Sequence, residues 1–230
     1  MDSVIKTYII NTGQYEDEAA FNTAVESVSP YRRQKIALLK NIKDKRRSLA
    51  AAMALDAALK EYGLEERGME YNVGEQGKPY FRYNPEIRFS LSHSGDYAIC
   101  SIGSHEIGND IEIIKSGRER VAQRFFAEEE FDWIYEAQDL RERDDRIFRI
   151  WTMKESFLKV TGLGMSLPLK DFAVIVSNNG SIIMRQNIND ITYCIKEYAM
   201  PETLPEYEAY KISVCSEAGA FAPDLLEVLR

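Results

Sequence analysis

Apolar positions recur with a period of two in short stretches and of about 3.6 in longer ones, and both patterns occur in each half of the chain. Residues 4–10 predict a first strand ended by Asn11, Thr12 and Gly13, and residues 16–27 a short helix. Ser29 as N-cap and Pro30 at the first helical position predict a long helix, dense in Ala and Leu over 49–59 and stopped at Gly63. Strands over 69–73 and 80–83 flank the turn Gly74-Glu75-Gln76-Gly77-Lys78-Pro79; strands over 87–91 and 97–102 flank Ser92-His93-Ser94-Gly95, a hairpin-like connection. A strand over 107–114, a turn over 115–118 and helical composition over 120–143 follow. Residues 148–160 then predict a helix with a stop at Gly162. Strands over 172–176 and 182–184, joined by Asn178-Asn179-Gly180, precede two more over 193–198 and 210–214. Strands and helices mix without regular βαβ alternation. An α+β fold is therefore expected, with a boundary near residue 106 dividing 1–106 from 107–230.

Composition narrows the class. Of the 230 residues 45% are apolar and 29% charged, values of a globular chain long enough for one large domain or two small ones. The formal net charge of −8 speaks against nucleic-acid binding. Residues 31–50 nevertheless hold Arg32, Arg33, Lys35, Lys40, Lys43, Lys45, Arg46 and Arg47 against Asp44 alone, a basic helix in an acidic protein. Cys100, Cys194 and Cys215 have neither disulfide-framework nor zinc spacing, which makes a reducing cytoplasm the expected compartment. No run approaches membrane-spanning length and no leader pattern is visible, so neither membrane nor export is expected.

Candidate chemistry gathers in two segments. Asp110 and Glu112 stand two apart in the strand over 107–114, so both carboxylates point to one face. Acids that close repel one another and lose hydration, and the arrangement calls for a counter-cation. An oxygen shell without His or Cys favours Mg²⁺, or Mn²⁺, over zinc. On the helix over 148–160, Trp151, Glu155 and Lys159 fall at i, i+4 and i+8 on one stripe, with Lys154 beside Glu155. One acid and two ammonium groups thus share a neighbourhood suited to a metal-bound diphosphate. Gly77-Lys78-Pro79 sets a lysine in a rigid turn, and Ser92-His93 offers a hydroxyl and an imidazole to a phosphate. Each of these features alone is common on ordinary surfaces.

Their order is not common. The basic helix, Gly-Lys-Pro, Ser-His, Asp-x-Glu and Trp-x-x-Lys-Glu-x-x-x-Lys together resemble the 4′-phosphopantetheinyl transferases of the surfactin-synthetase-activating type, from about residue 29 to 169. The resemblance implies two similar α+β subdomains related by pseudo-two-fold symmetry, an active site in the cleft between them, and a monomer. It implies Mg²⁺-dependent transfer of the 4′-phosphopantetheine of coenzyme A to a serine of an apo acyl or peptidyl carrier protein, with release of adenosine 3′,5′-bisphosphate. By the same resemblance Asp110, Glu112 and Glu155 would hold Mg²⁺, and Lys154 and Lys159 would contact the diphosphate. Ser92 and His93 would lie near the 3′-phosphate and Lys78 near the adenine nucleotide, with Arg32, Lys35, Ser48 and the neighbouring Arg47 as further nucleotide contacts. Glu155 or Glu130 would be the general base, and Lys159 would assist the leaving bisphosphate. Residues 1–106 would then supply nucleotide contacts and 107–230 the metal and diphosphate site. The aromatics Phe125, Phe126, Phe131, Trp133 and Tyr135 are expected to help bind the carrier. Two other readings compete: a Mg²⁺-dependent coenzyme A phosphohydrolase using water as nucleophile, and a non-enzymatic nucleotide-binding module built on the basic helix, for which the acids would be liabilities.

Overall fold

The computed structural model describes residues 4–177 and 179–229. In chain order the elements are β1 (Lys6–Asn11), α1 (Glu18–Ser27), α2 (Pro30–Leu38), α3 (Ile42–Lys60), β2 (Tyr71–Val73), β3 (Pro79–Phe81), β4 (Arg88–Ser94) and β5 (Tyr97–Gly103). They continue as β6 (Ile107–Ile113), α4 (Glu119–Phe125), α5 (Glu128–Tyr135), α6 (Leu140–Thr161), β7 (Ala173–Val176), β8 (Ile182–Arg185), β9 (Cys194–Tyr198), β10 (Tyr210–Ser216) and β11 (Leu226–Glu227). The fold is α+β, as the mixed pattern predicts. Contacts divide it into two units, Met1–His105 with Ala220–Arg230, and Glu106–Gly219. The second unit, expected to run to residue 230, ends at Gly219 because the tail returns to the first unit, where β11 pairs parallel to β1.

In the first unit α3 lies on a sheet of order β11-β1-β5-β4. Leu49, Ala52, Leu55 and Leu59 recur at helical spacing and are fully buried, together with Ala98, Cys100 and Ile102 of β5. The long helix expected after Ser29 is two helices. Leu39 is extended, and Asn41 starts a new helix by accepting the Lys43 N–H on its Oδ1 at 2.8 Å, a local capping bond that competes with helix continuation. The hairpin between β4 and β5 is also tighter than expected. Strand pairing runs through Ser92 and His93 to Ser94 opposite Tyr97, and the turn is Gly95-Asp96, with Gly95 at φ +56°.

The second unit places α6 on an antiparallel sheet of order β6-β10-β9. The helix is longer than the expected 148–160: Asp139 caps its start, accepting the Glu142 N–H at 2.8 Å, and Gly162 ends it at φ +68°. The helical stretch before it breaks where Phe126 and Ala127 are extended, giving the short α4 and α5. β7 and β8 form their own two-stranded hairpin; of its expected turn, Asn178 lies outside the described residues. Ile147, Ile150, Met153 and Phe157 fill the space between α6 and its neighbours, each such burial contributing about 1.5–3 kcal/mol. No helix among the described residues is long and apolar enough to cross a membrane.

Candidate active site

The second unit joins strand and helix at one glycine. A Cβ at Gly108 would stand 1.8 Å from the Ser156 carbonyl oxygen and 2.5 Å from the Val160 nitrogen. Only a residue without a side chain lets α6 approach β6 so closely. The period of two then carries the face of Gly108 onward to Asp110 and Glu112, which point at the same helix. From Trp151 to Val160 every residue of α6 is buried except Trp151, Glu155 and Lys159, which are half-buried. The i, i+4, i+8 stripe is therefore the edge of the helix where strand, helix and solvent meet.

Lys159 closes this corner. Its Nζ donates to Asp110 Oδ1 and to the Asn109 carbonyl, both at 2.8 Å. Burial, then the neighbouring Asp110 charge, hold the Glu155 carboxyl above its ordinary value; Lys159 opposes this and Glu112 adds to it. Three carboxylates and one ammonium thus interact in one place. The donor set is of the kind a hard divalent cation takes: oxygen ligands only, from three interacting acids, one of them already disfavoured in its charged form. Among the described residues no three His, Cys, Asp or Glu side chains are drawn into the spacing of bound-ion ligands, Asp110 being turned to Lys159. Beside Glu112 and Trp151 opens a cavity of about 240 Å³, walled by Val121, Ile147 and Phe148 and flanked by Lys115 and Arg118. These two basic residues are not singled out by the sequence. Their only signal is position, in the turn that directly follows the acidic strand.

Lys154 and Glu130 depart from expectation. Both side chains are fully enclosed, and Lys154 Nζ donates to Glu130 Oε1 at 2.6 Å, Glu130 Oε2 at 2.8 Å and the Phe172 carbonyl at 2.7 Å. Glu130 also accepts the N–H of Val174 at 2.7 Å and of Ala127 at 2.8 Å. An ammonium has three donors and a carboxylate about four acceptor sites, so neither retains capacity for a diphosphate or a serine proton. Burial raises the Glu130 pKa and lowers that of Lys154, each opposed by its partner.

In the first unit the nucleotide candidates separate. Arg32 is buried, its guanidinium 5.1 Å from the Tyr71 ring centre and 5.5 Å from that of Tyr31, with Nε 3.7 Å from Glu66. Glu66 in turn accepts Ser29 N at 2.6 Å, Ser29 Oγ at 2.7 Å and Tyr71 Oη at 2.5 Å. Burial still pushes its pKa up. Arg32, expected as a nucleotide contact, is thus buried beside Glu66, with the Tyr31 and Tyr71 rings close to its guanidinium. Lys35 remains exposed above the Tyr31 ring, 5.1 Å from its centre. Arg47 donates to the Gly95 carbonyl at 2.7 Å, which brings α3 to the turn that follows Ser92 and His93. His93 is exposed, while Ser48, Lys78 and Ser92 are half-buried.

A family model described as the 4′-phosphopantetheinyl transferase superfamily matches residues 106–215, the span that holds the whole strand and helix cluster. The chain belongs to this family: a 4′-phosphopantetheinyl transferase of Bacillus subtilis is 35% identical over 191 residues, covering 83% of this chain and 82% of the relative. The 4′-phosphopantetheinyl transferase Sfp of Bacillus subtilis strain 168 is 31% identical, with 87% of each chain covered. Among solved structures, holo-[acyl-carrier-protein] synthase of Thermotoga maritima shares 17% identity over 48% of this chain and 61% of its own, at a TM-score of 0.39.

Proposed function

We propose that this chain transfers the 4′-phosphopantetheine arm of coenzyme A to a serine of an apo acyl or peptidyl carrier protein, releasing adenosine 3′,5′-bisphosphate. The observation that carries the proposal is the convergence of Asp110, Glu112, Glu155 and Lys159 on the half-buried edge between β6 and α6. Membership of the family supports the same reaction. The serine oxygen forms a bond to the phosphorus bearing pantetheine, and the bond from that phosphorus to the bisphosphate oxygen breaks. Glu155, half-buried on the stripe it shares with Lys159, takes the serine proton. With Glu130 saturated by four hydrogen bonds, Glu155 is the base the geometry favours. Lys159, anchored on Asp110, stands ready to offset charge on the departing bisphosphate. A Mg²⁺ ion, or Mn²⁺ in its place, held by Asp110, Glu112 and Glu155 would supply positive charge against the diphosphate.

For the nucleotide end of coenzyme A we assign Lys35, Arg47, Ser48, Lys78, Ser92 and His93. Arg47 supports this best, since it ties α3 to the β4–β5 turn. Free Cys100, Cys194 and Cys215 fit a reducing cytoplasm. Intact-protein mass spectrometry of an apo carrier incubated with the protein, coenzyme A and Mg²⁺ tests the reaction. A gain of one phosphopantetheine, abolished by EDTA, is expected. Release of free phosphopantetheine without carrier modification would instead make the chain a hydrolase.

A further inference from the structure

We propose that Lys154 and Glu130 form a buried positioning pair that sets the rotation of α6, so that Glu155 and Lys159 face β6, and that neither touches substrate. The inference rests on the transferase reading above and assigns a role to the two residues that the reaction leaves idle.

Successive helical residues turn by about 100°, so Lys154 and the adjacent Glu155 point to different neighbours. Lys154 faces α5 and the start of β7, where all three of its donors are engaged. Through Glu130 the bond network continues to the Ala127 and Val174 nitrogens, which fasten the N-terminus of α5 and the β7 backbone to the same carboxylate. On its opposite side α6 meets Gly108 at a distance that leaves no room for a methyl group. Close packing at Gly108 fixes how near the helix lies, but a smooth backbone contact says little about rotation. Directional, charge-assisted bonds do, since they weaken steeply when turned away from their line. An apolar pair of the same volume would hold the helix as firmly and specify its angle less, which is the known use of buried ionic groups in setting register. If α6 turned, Glu155 would leave Asp110 and Lys159 would lose its 2.8 Å bond to Asp110.

The test compares Lys154→Met, Glu130→Gln and the double variant by melting temperature, by coenzyme A affinity in calorimetry and by the split between kcat and KM. A positioning pair predicts that each single variant loses melting temperature and kcat while its affinity for coenzyme A stays within about threefold of wild type. The double variant, with no unpaired buried charge, is expected to recover about fivefold or more in kcat over the worse single, as coupled neighbours do. A coenzyme A affinity about tenfold or more weaker in Lys154→Met, and unrelieved in the double, would place Lys154 on the diphosphate and overturn the proposal. A kcat loss in Glu130→Gln that persists undiminished in the double, with the melting temperature of both unchanged from wild type, would make Glu130 the base and overturn it equally. Should a single variant fail to fold, the double alone decides by its coenzyme A affinity. Should wild type modify no carrier, the functional reading fails by itself, and the coupling in melting temperature together with coenzyme A affinity still judges the pair.

Discussion

Two charged regions of the second unit share α6, Lys154 of one standing next to Glu155 of the other, and have opposite character. Around Lys154 one ammonium meets one carboxylate, every donor and acceptor is used, and both side chains are out of water. Around Glu155, by contrast, Asp110, Glu112 and Lys159 all act on one carboxylate, and the helix stripe that carries it is half-open to solvent. Charge that is balanced and saturated can only hold structure. Acids grouped at a half-open edge beside a cavity of about 240 Å³ are where the proposed reaction would hold its ligand. Adjacent residues of one motif, Lys154 and Glu155, therefore serve different ends, and what separates them is the 100° turn between helical neighbours, about a quarter of the circle.

The largest break in this contrast is expected at the acid-rich corner. Asp110→Asn or Glu155→Gln should lower turnover on the order of a hundredfold or more while leaving the melting temperature close to wild type, since each keeps the side chain's shape and removes one of three neighbouring like charges. Rates from intact-mass time courses, paired with thermal melts, check both halves of that statement. Next comes Gly108→Ala: a methyl 1.8 Å from a helix carbonyl must push α6 away, which should cost about 3 kcal/mol and lower turnover together with stability in urea titrations. In the first unit Arg32→Met should leave turnover at saturating coenzyme A within about threefold, because its guanidinium serves Glu66 and the tyrosine rings, while stability in denaturant titrations falls by about 1–3 kcal/mol.

The smallest effect concerns pH. Burial and Asp110 raise the Glu155 pKa above its ordinary 4.5, so the folded protein keeps a proton there that the unfolded chain has already released. Stability is then lost as pH rises from 4.5 through the raised value, and the loss persists above it. In EDTA, the melting temperature of wild type should fall more between about pH 5 and pH 8 than that of Glu155→Gln, which has no such proton to release. Equal slopes would mean that Glu155 is not held among the other acids.

Periodicity alone makes much of this corner legible. Spacing two in a strand puts Asp110 and Glu112 on one face, and spacing four in a helix aligns Trp151, Glu155 and Lys159, because backbone geometry dictates side-chain direction. Residue type does not reveal burial. Lys154 and Glu130 look like ordinary reactive groups in the sequence, and only tertiary structure brings Phe172, Val174 and Ala127 to consume their bonding capacity. The burial of Arg32 is hidden in the same way, since nothing local announces that Tyr71, 39 positions on, will lie over it. The break at Asn41 is readable as a cap but is outweighed by the Ala- and Leu-rich run that follows. The return of β11 to β1 carries no local signal at all, two residues being too short a strand for any pattern.

The contrast between the two regions is tested most directly by one side-by-side measurement. Wild type, Asp110→Asn and the double variant Lys154→Met with Glu130→Gln are each given apo carrier, coenzyme A and Mg²⁺, and the rate of phosphopantetheine gain is followed by intact mass. The double variant should transfer about tenfold or more faster than Asp110→Asn, with both proteins folded. Transfer by Asp110→Asn at the wild-type rate, with the double variant inert though folded and binding coenzyme A, would contradict the assignment and move the reaction centre to the buried pair.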